Sequence, residues 1–126
     1  MFDKKEIKTT DCPAAIGPYS QGIIYGKQVM TSGQLPISSS GEMSNDVMEQ
    51  TRQSLNNVKA VLIAAGSDMT KVIKCTVFLS DMNDFQKVNQ VYGEFFNEPF
   101  PARCCVQVAR LPKDAKVEIE AIAYTE

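Results

Sequence analysis

Among its 126 residues the chain has no histidine and no tryptophan. The first absence excludes the most. It removes the Ser-His-Asp triad, the Cys-His dyad, histidine-ligated zinc and imidazole acid–base work together. Any catalysis must then run on carboxylates, tyrosine, lysine, cysteine, backbone groups or water. Basic clusters are missing too: 13 Lys and Arg stand against 15 Asp and Glu, for a net charge of -2. Phosphate backbones need clustered cations, so no nucleic acid partner is expected. The longest purely aliphatic run, Ala60 to Ala65, is far too short to span a bilayer, so no membrane partner is expected. Met1-Phe2-Asp3-Lys4-Lys5-Glu6 lacks the apolar core of a signal peptide, and the expected location is cytoplasmic. The cysteines Cys12, Cys75, Cys104 and Cys105 form no C-x-x-C pair. Free thiols, no metal and no cofactor are the expectation.

What is present reads as one domain over residues 1–126, with a hydrophobic share of 44% that allows a real core. Glu6 to Thr9 is a short first strand and Asp11 to Pro18 a loop. Gln21 to Tyr25 and Gln28 to Leu35 are arms about Gly26-Lys27, a two-residue hairpin turn with Gly first. Gly33 inside the second arm marks a bulge or the close approach of another group. Asp46 is a helix N-cap, with Glu49 completing a capping-box pattern. Met48, Leu55, Val58, Leu62 and Ala65 then recur as an apolar stripe, and Gly66 is the stop. Lys71 to Ser80 is rich in β-branched residues and reads as a central strand. A second helix covers Asp84 to Phe96, with Phe85, Val88, Tyr92 and Phe95 on one stripe; Pro99 and Pro101 end it. Two strands flanking Pro112 close the chain. The order β-β-β-α-β-α-β-β predicts an α/β (α+β) fold: one mixed sheet with both helices packed on one face. The other face has no layer left to cover it, so association with further copies of the chain is expected.

Chemistry is concentrated in the last two strands. Arg103, Cys105 and Gln107 alternate with Ala102, Cys104, Val106 and Val108, so Arg103 stands apart from the small apolar set. Glu118 and Glu120 share one face of the final strand. A hairpin centred near Pro112 would set Arg103 opposite the Glu118–Ile122 region, with cation and carboxylate on one sheet face. Two readings stay open. Arg103 and Glu118 form a structural ion pair, or the guanidinium is a fork for a ligand carboxylate and Glu118 a base or water-holding group beside it. Cys105 is either a small buried side chain or a group lining that site through its backbone or a low-pKa thiol. Tyr19, after Gly17-Pro18, is a loop residue against the core or a site residue.

Four segments resemble the RidA (YjgF) family of reactive-intermediate deaminases. They are Ala14-Ala15-Ile16-Gly17-Pro18-Tyr19-Ser20-Gln21, Thr31-Ser32-Gly33-Gln34, Gln53-Ser54-Leu55-Asn56-Asn57-Val58, and Pro101-Ala102-Arg103 through Pro112-Lys113-Asp114 and Glu118-Ile119-Glu120. The likeness runs from about Ala14 to Tyr124. It implies a chorismate-mutase-like fold and a homotrimer with active sites in the clefts between subunits. It also implies hydrolysis of 2-enamino and 2-imino acids, such as 2-iminobutanoate and 2-iminopropanoate, to 2-keto acids and ammonia, without a cofactor. By position, Arg103 is implied as the arginine for the substrate carboxylate, and Glu118 rather than Glu120 as the carboxylate that positions water. Cys105 is implied to line the catalytic site with its backbone, Tyr19, Ser32 and Gly33 to form the pocket wall, and Asn89 to sit as a polar group at the cleft. Two departures stand out. Cys104 replaces the Ser or Ala common in relatives, and the Asn97-Glu98-Pro99 loop is shorter than in some members, which bears on the substrate side chain. Other roles compatible with the same likeness are a non-catalytic regulatory trimer binding keto acids at the same cleft, and an RNA-cleaving or translation-inhibiting protein. The latter has neither a basic stripe nor a histidine to support it.

Overall fold

The structure, a computed structural model, describes residues 2–125. Its elements follow the expected order: β1 (Lys4–Ile7), β2 (Gly22–Tyr25), β3 (Gln28–Thr31), α1 (Val47–Ala64), β4 (Val72–Leu79), α2 (Phe85–Phe95), β5 (Ala102–Gln107) and β6 (Val117–Tyr124). The first strand begins two residues earlier than expected and ends at Ile7. Pairing with β2 runs only from Lys4↔Tyr25 to Ile7↔Gly22. Beyond it, the Thr9 N–H donates instead to Gln21 Oε1 at 2.8 Å. Gly26 turns the β2–β3 hairpin at φ 63°, a conformation that costs glycine nothing.

At α1, Asp46 accepts the Glu49 N–H at 2.9 Å, as expected of an N-cap. The reciprocal half of the capping box does not form. The Glu49 carboxylate pairs with Arg52 at 2.6 Å, and the Asp46 N–H donates to Ser44 Oγ at 3.0 Å. Gly66 ends the helix at φ 83°. Leu55, Val58, Val61 and Leu62 are fully buried against Val117, Ile119, Ala121 and Ala123 of β6 in one core, with Val88 and Val91 of α2 completing it. On α2 it is Phe96, beyond the helix end, that is buried, while Phe95 is only partly covered.

The single six-stranded sheet has the order β1-β2-β3-β6-β4-β5. Only β4 and β5 are parallel. The hairpin expected between β5 and β6 is therefore absent. The helical crossover through α2 lays β5 parallel on the outer side of β4, where it is an edge strand. The chain then returns across β4, and β6 takes the central place its buried residues require. Arg103 does align with the expected region of β6, but with β4 between: Arg103↔Cys75↔Ala121. Three residues separate Ala121 from Glu118, so alternation puts Arg103 on the helix side and Glu118 on the opposite face. That face carries Phe78, Ile122, Met30 and Val106, the last two 47% and 41% exposed. No layer among the described residues covers it.

Candidate functional site

The first group forms where β5 meets α2. Phe85, Asn89 and Tyr92 are spaced by four and three residues, so they stack on one face of α2. That face looks over the edge strand at Arg103. Arg103 Nη1 donates to Asn89 Oδ1 at 2.6 Å. Its guanidinium carbon lies 4.8 Å from the Tyr92 ring centre and 5.5 Å from that of Phe85. The side chain is exposed, and among the described residues no carboxylate pairs with it. The structural Arg103–Glu118 ion pair is thereby excluded within one chain.

Cys105 lies two residues inward on the same side and is half-buried. Burial pushes its thiol up; the Arg103 charge opposes this and Cys104 adds to it. The low-pKa alternative for Cys105 is thus corrected: desolvation outweighs the neighbouring cation, and the group is a thiol at neutral pH. Beneath it, burial raises Cys75 to about 11 and also raises the Tyr92 phenol. Cys104 points to the other face of the sheet, away from Arg103, as expected.

The second group forms where the Tyr19 loop, the end of β3 and the start of β6 converge. Gln34 and Ile119 exchange backbone hydrogen bonds of 2.7 and 3.2 Å, which hold Gly33 alongside Glu118. Ser32 ties the Tyr19 loop down. Its N–H donates to the Gln21 carbonyl at 2.9 Å and its hydroxyl to the Ser20 carbonyl. Tyr19, 51% exposed, borders with Gly33, Gln34, Ile37 and Lys113 a cavity of about 290 Å³. Glu118 is only partly accessible. Burial raises its pKa above the ordinary carboxylate value, and Glu120 on the same face raises it further.

Gly33 has a steric reason. A Cβ there would meet the Glu118 carboxyl group, 2.9 Å from its Cδ. Gly33→Ala should therefore displace the carboxylate and lower turnover at least tenfold, while a melt shifts by only a few degrees (a surface change of about 1 kcal/mol). Unchanged turnover would show that the contact does not matter.

The structure thus assembles Arg103, Cys105 and Asn89 in one half-site and Tyr19, Ser32, Gly33 and Glu118 in another, on opposite faces of the sheet. Phe85 and Tyr92 were legible only as core residues of a helix stripe. Their signal was the 85/89/92 spacing, which needed β5 beside α2 to acquire meaning. Among the described residues no three Cys, Asp or Glu side chains converge to hold a metal ion.

The sequence profile of the Endoribonuclease L-PSP family matches residues 9–125. The 2-iminobutanoate/2-iminopropanoate deaminase of Escherichia coli strain K12 is 55% identical over 123 residues, covering 94% of this chain and 96% of that one. RutC family protein PH0854 of Pyrococcus horikoshii is 54% identical over 125 residues, covering 98% and 99%. The crystal structure of E. coli TdcF with bound serine superposes with a TM-score of 0.92 at 51% identity, covering 97% and 99%.

Proposed function

The chain belongs to the Endoribonuclease L-PSP (RidA/YjgF) family, and from that premise we propose that it hydrolyses small 2-imino acids and their 2-enamino tautomers to 2-keto acids and ammonia, at a site shared by two copies of the chain. The observation that carries this reading is the separation of its parts. A guanidinium with no carboxylate partner among the described residues and a raised-pKa carboxylate lie on opposite faces of one chain, each at a surface a neighbour could complete. The E. coli relative named for this deamination, and TdcF with its bound serine, support a carboxylate-bearing small ligand.

In this reading Arg103 of one copy holds the substrate carboxylate through the N–H edge that Asn89 does not use. Glu118 of the adjacent copy orients a water against C2 of the imine. As the water oxygen bonds to C2, Glu118 takes a proton from the water and passes it to the imine nitrogen. The product of this step is a carbinolamine, with Glu118 again a carboxylate. Glu118 then takes the hydroxyl proton and delivers it to the amine nitrogen, the C–N bond breaks with its electron pair on the departing ammonia, and the oxygen left on C2 becomes the keto oxygen. The imine carbon is electrophilic, so positioning and proton transfer suffice, each worth roughly 10²–10⁴-fold. Cys105 contributes its backbone and a compact neutral side chain. Tyr19, Ser32 and Gly33 wall the pocket from the Glu118 side.

The assembly in this reading is a homotrimer of chorismate-mutase-like domains, with the apolar open face turned inward. Sedimentation equilibrium at micromolar protein should give three times the 13.9 kDa chain mass; a monomer would leave each half-site alone and contradict the proposal. The activity itself is tested by coupling. A Ser/Thr dehydratase generates the intermediate, and loss of its absorbance is followed with and without this protein. Acceleration supports the deaminase. Binding of 2-oxobutanoate without acceleration would favour the regulatory trimer instead.

A further inference from the structure

We infer that Phe85 and Tyr92 are positioning residues for Arg103, an aromatic platform on α2 that aims the guanidinium before the substrate arrives. The inference rests on the reading of Arg103 as the carboxylate-holding group and adds how that group is held.

An arginine on an edge strand ordinarily has several rotamers open to it, and fixing them on binding costs affinity. Here the α2 face removes that freedom. The guanidinium carbon is within cation–π range of both rings, and Asn89 Oδ1 takes one Nη1 hydrogen. Guanidinium hydrogens lie in the plane of the group, so contact with ring faces covers the flat surface and leaves the hydrogens free. Asn89 is the one hydrogen-bond acceptor of this side chain among the described residues. The Nε and Nη2 hydrogens remain for a two-pronged contact with a carboxylate. Tyr92 shows which part of it matters. Its hydroxyl is buried and turned toward the Cys75 thiol, away from the guanidinium, whereas its ring packs between Phe96, 4.7 Å away, and Arg103. It is the ring, and not the hydroxyl, that meets the guanidinium.

The test uses the intact oligomer. Phe85→Leu and Tyr92→Leu keep apolar bulk and lose the π face, whereas Tyr92→Phe keeps the face and loses only the hydroxyl. We expect KM for the imino acid to rise roughly tenfold in both Leu variants, with kcat within threefold, and Tyr92→Phe to behave as wild type. In an Arg103→Lys background, Phe85→Leu should add little, because its effect acts through the guanidinium. Arg103 Nε–H proton resonances give a second readout. The ring-current shift should match wild type in Tyr92→Phe and be reduced in Phe85→Leu, where only the Tyr92 ring remains. Tyr92 is in the core and its Leu variant is the one at risk of not folding; Phe85 is only partly buried, so its variant decides alone if needed. A folded Phe85→Leu protein with wild-type KM would overturn the platform while leaving the carboxylate reading intact, provided Arg103→Lys is impaired. An Arg103→Lys protein with wild-type kinetics would overturn both.

Discussion

Arg103→Ala is expected to lose roughly 10²–10⁴ of kcat/KM and to melt within about 5 °C of the parent. The loss follows from a two-pronged, charge-assisted contact with a carboxylate, worth about 1.5–3 kcal/mol for each hydrogen bond. The small stability change follows from the surroundings. Stripping one partner from a buried ion pair costs about 3–5 kcal/mol, but Arg103 is exposed and its one hydrogen bond is to the neutral Asn89. Removing it strands no buried charge. What is lost is stacking on Tyr92 and Phe85, about 0.5–1 kcal/mol at an exposed position. Arg103→Lys keeps the charge and loses the planar fork, so it should also be badly impaired. Thermal melts beside the coupled assay separate the outcomes. A folded, oligomeric Arg103→Ala protein with near-parental turnover would exclude Arg103 from the site.

Glu118→Gln has the second largest expected effect: ligand binding retained, turnover down by about 10²–10⁴. Its stability should move the other way. Burial raises the folded-state pKa of Glu118 above its unfolded value. Such a group contributes stability while both states are protonated and loses it as pH rises through the folded pKa. At pH 7 the ionised carboxylate is therefore a net cost, and Glu118→Gln should melt no lower than the parent and somewhat higher. Activity depends on the ionised form, so it should fall on the acid side through a pKa above the ordinary glutamate range. Glu120 supplies part of that upward shift. Glu120→Gln should thus be mild in rate and move the acid limb to lower pH. An acid limb unmoved in Glu120→Gln would mean that another group controls it.

These expectations rest on a topology only partly legible in the sequence. Local signals held where they were self-contained. Gly26 turns the first hairpin, Asp46 caps α1, Gly66 stops it, and the alternation from Val117 marks a strand with one buried face. Strand partnership is non-local, and there the local reading failed. Proximity around Pro112 suggested that β5 pairs with β6, but a strand–helix–strand crossover places β5 parallel to β4, and β6 fills the centre because four of its residues need burial. The same misplacement put Arg103 and Glu118 on one face. With β4 interposed, an odd number of residues separates them along the register, and the pair divides between the faces. Phe85 and Tyr92 carried no distinguishing signal, because an apolar stripe on a helix reads as core until its neighbour is known.

The central claim is that Arg103 of one copy and Glu118 of another make a single site. It is tested most directly by mixing the two inactive variants. Arg103→Ala and Glu118→Gln chains are unfolded together, refolded at equal concentration, and checked by native mass spectrometry for mixed oligomers. In a closed ring with random assembly, about one quarter of the interfaces join an intact Arg103 to an intact Glu118. Turnover near a quarter of the parental value is the expected result. Mixed oligomers with no more activity than the two variants alone would show that the site is not shared between chains.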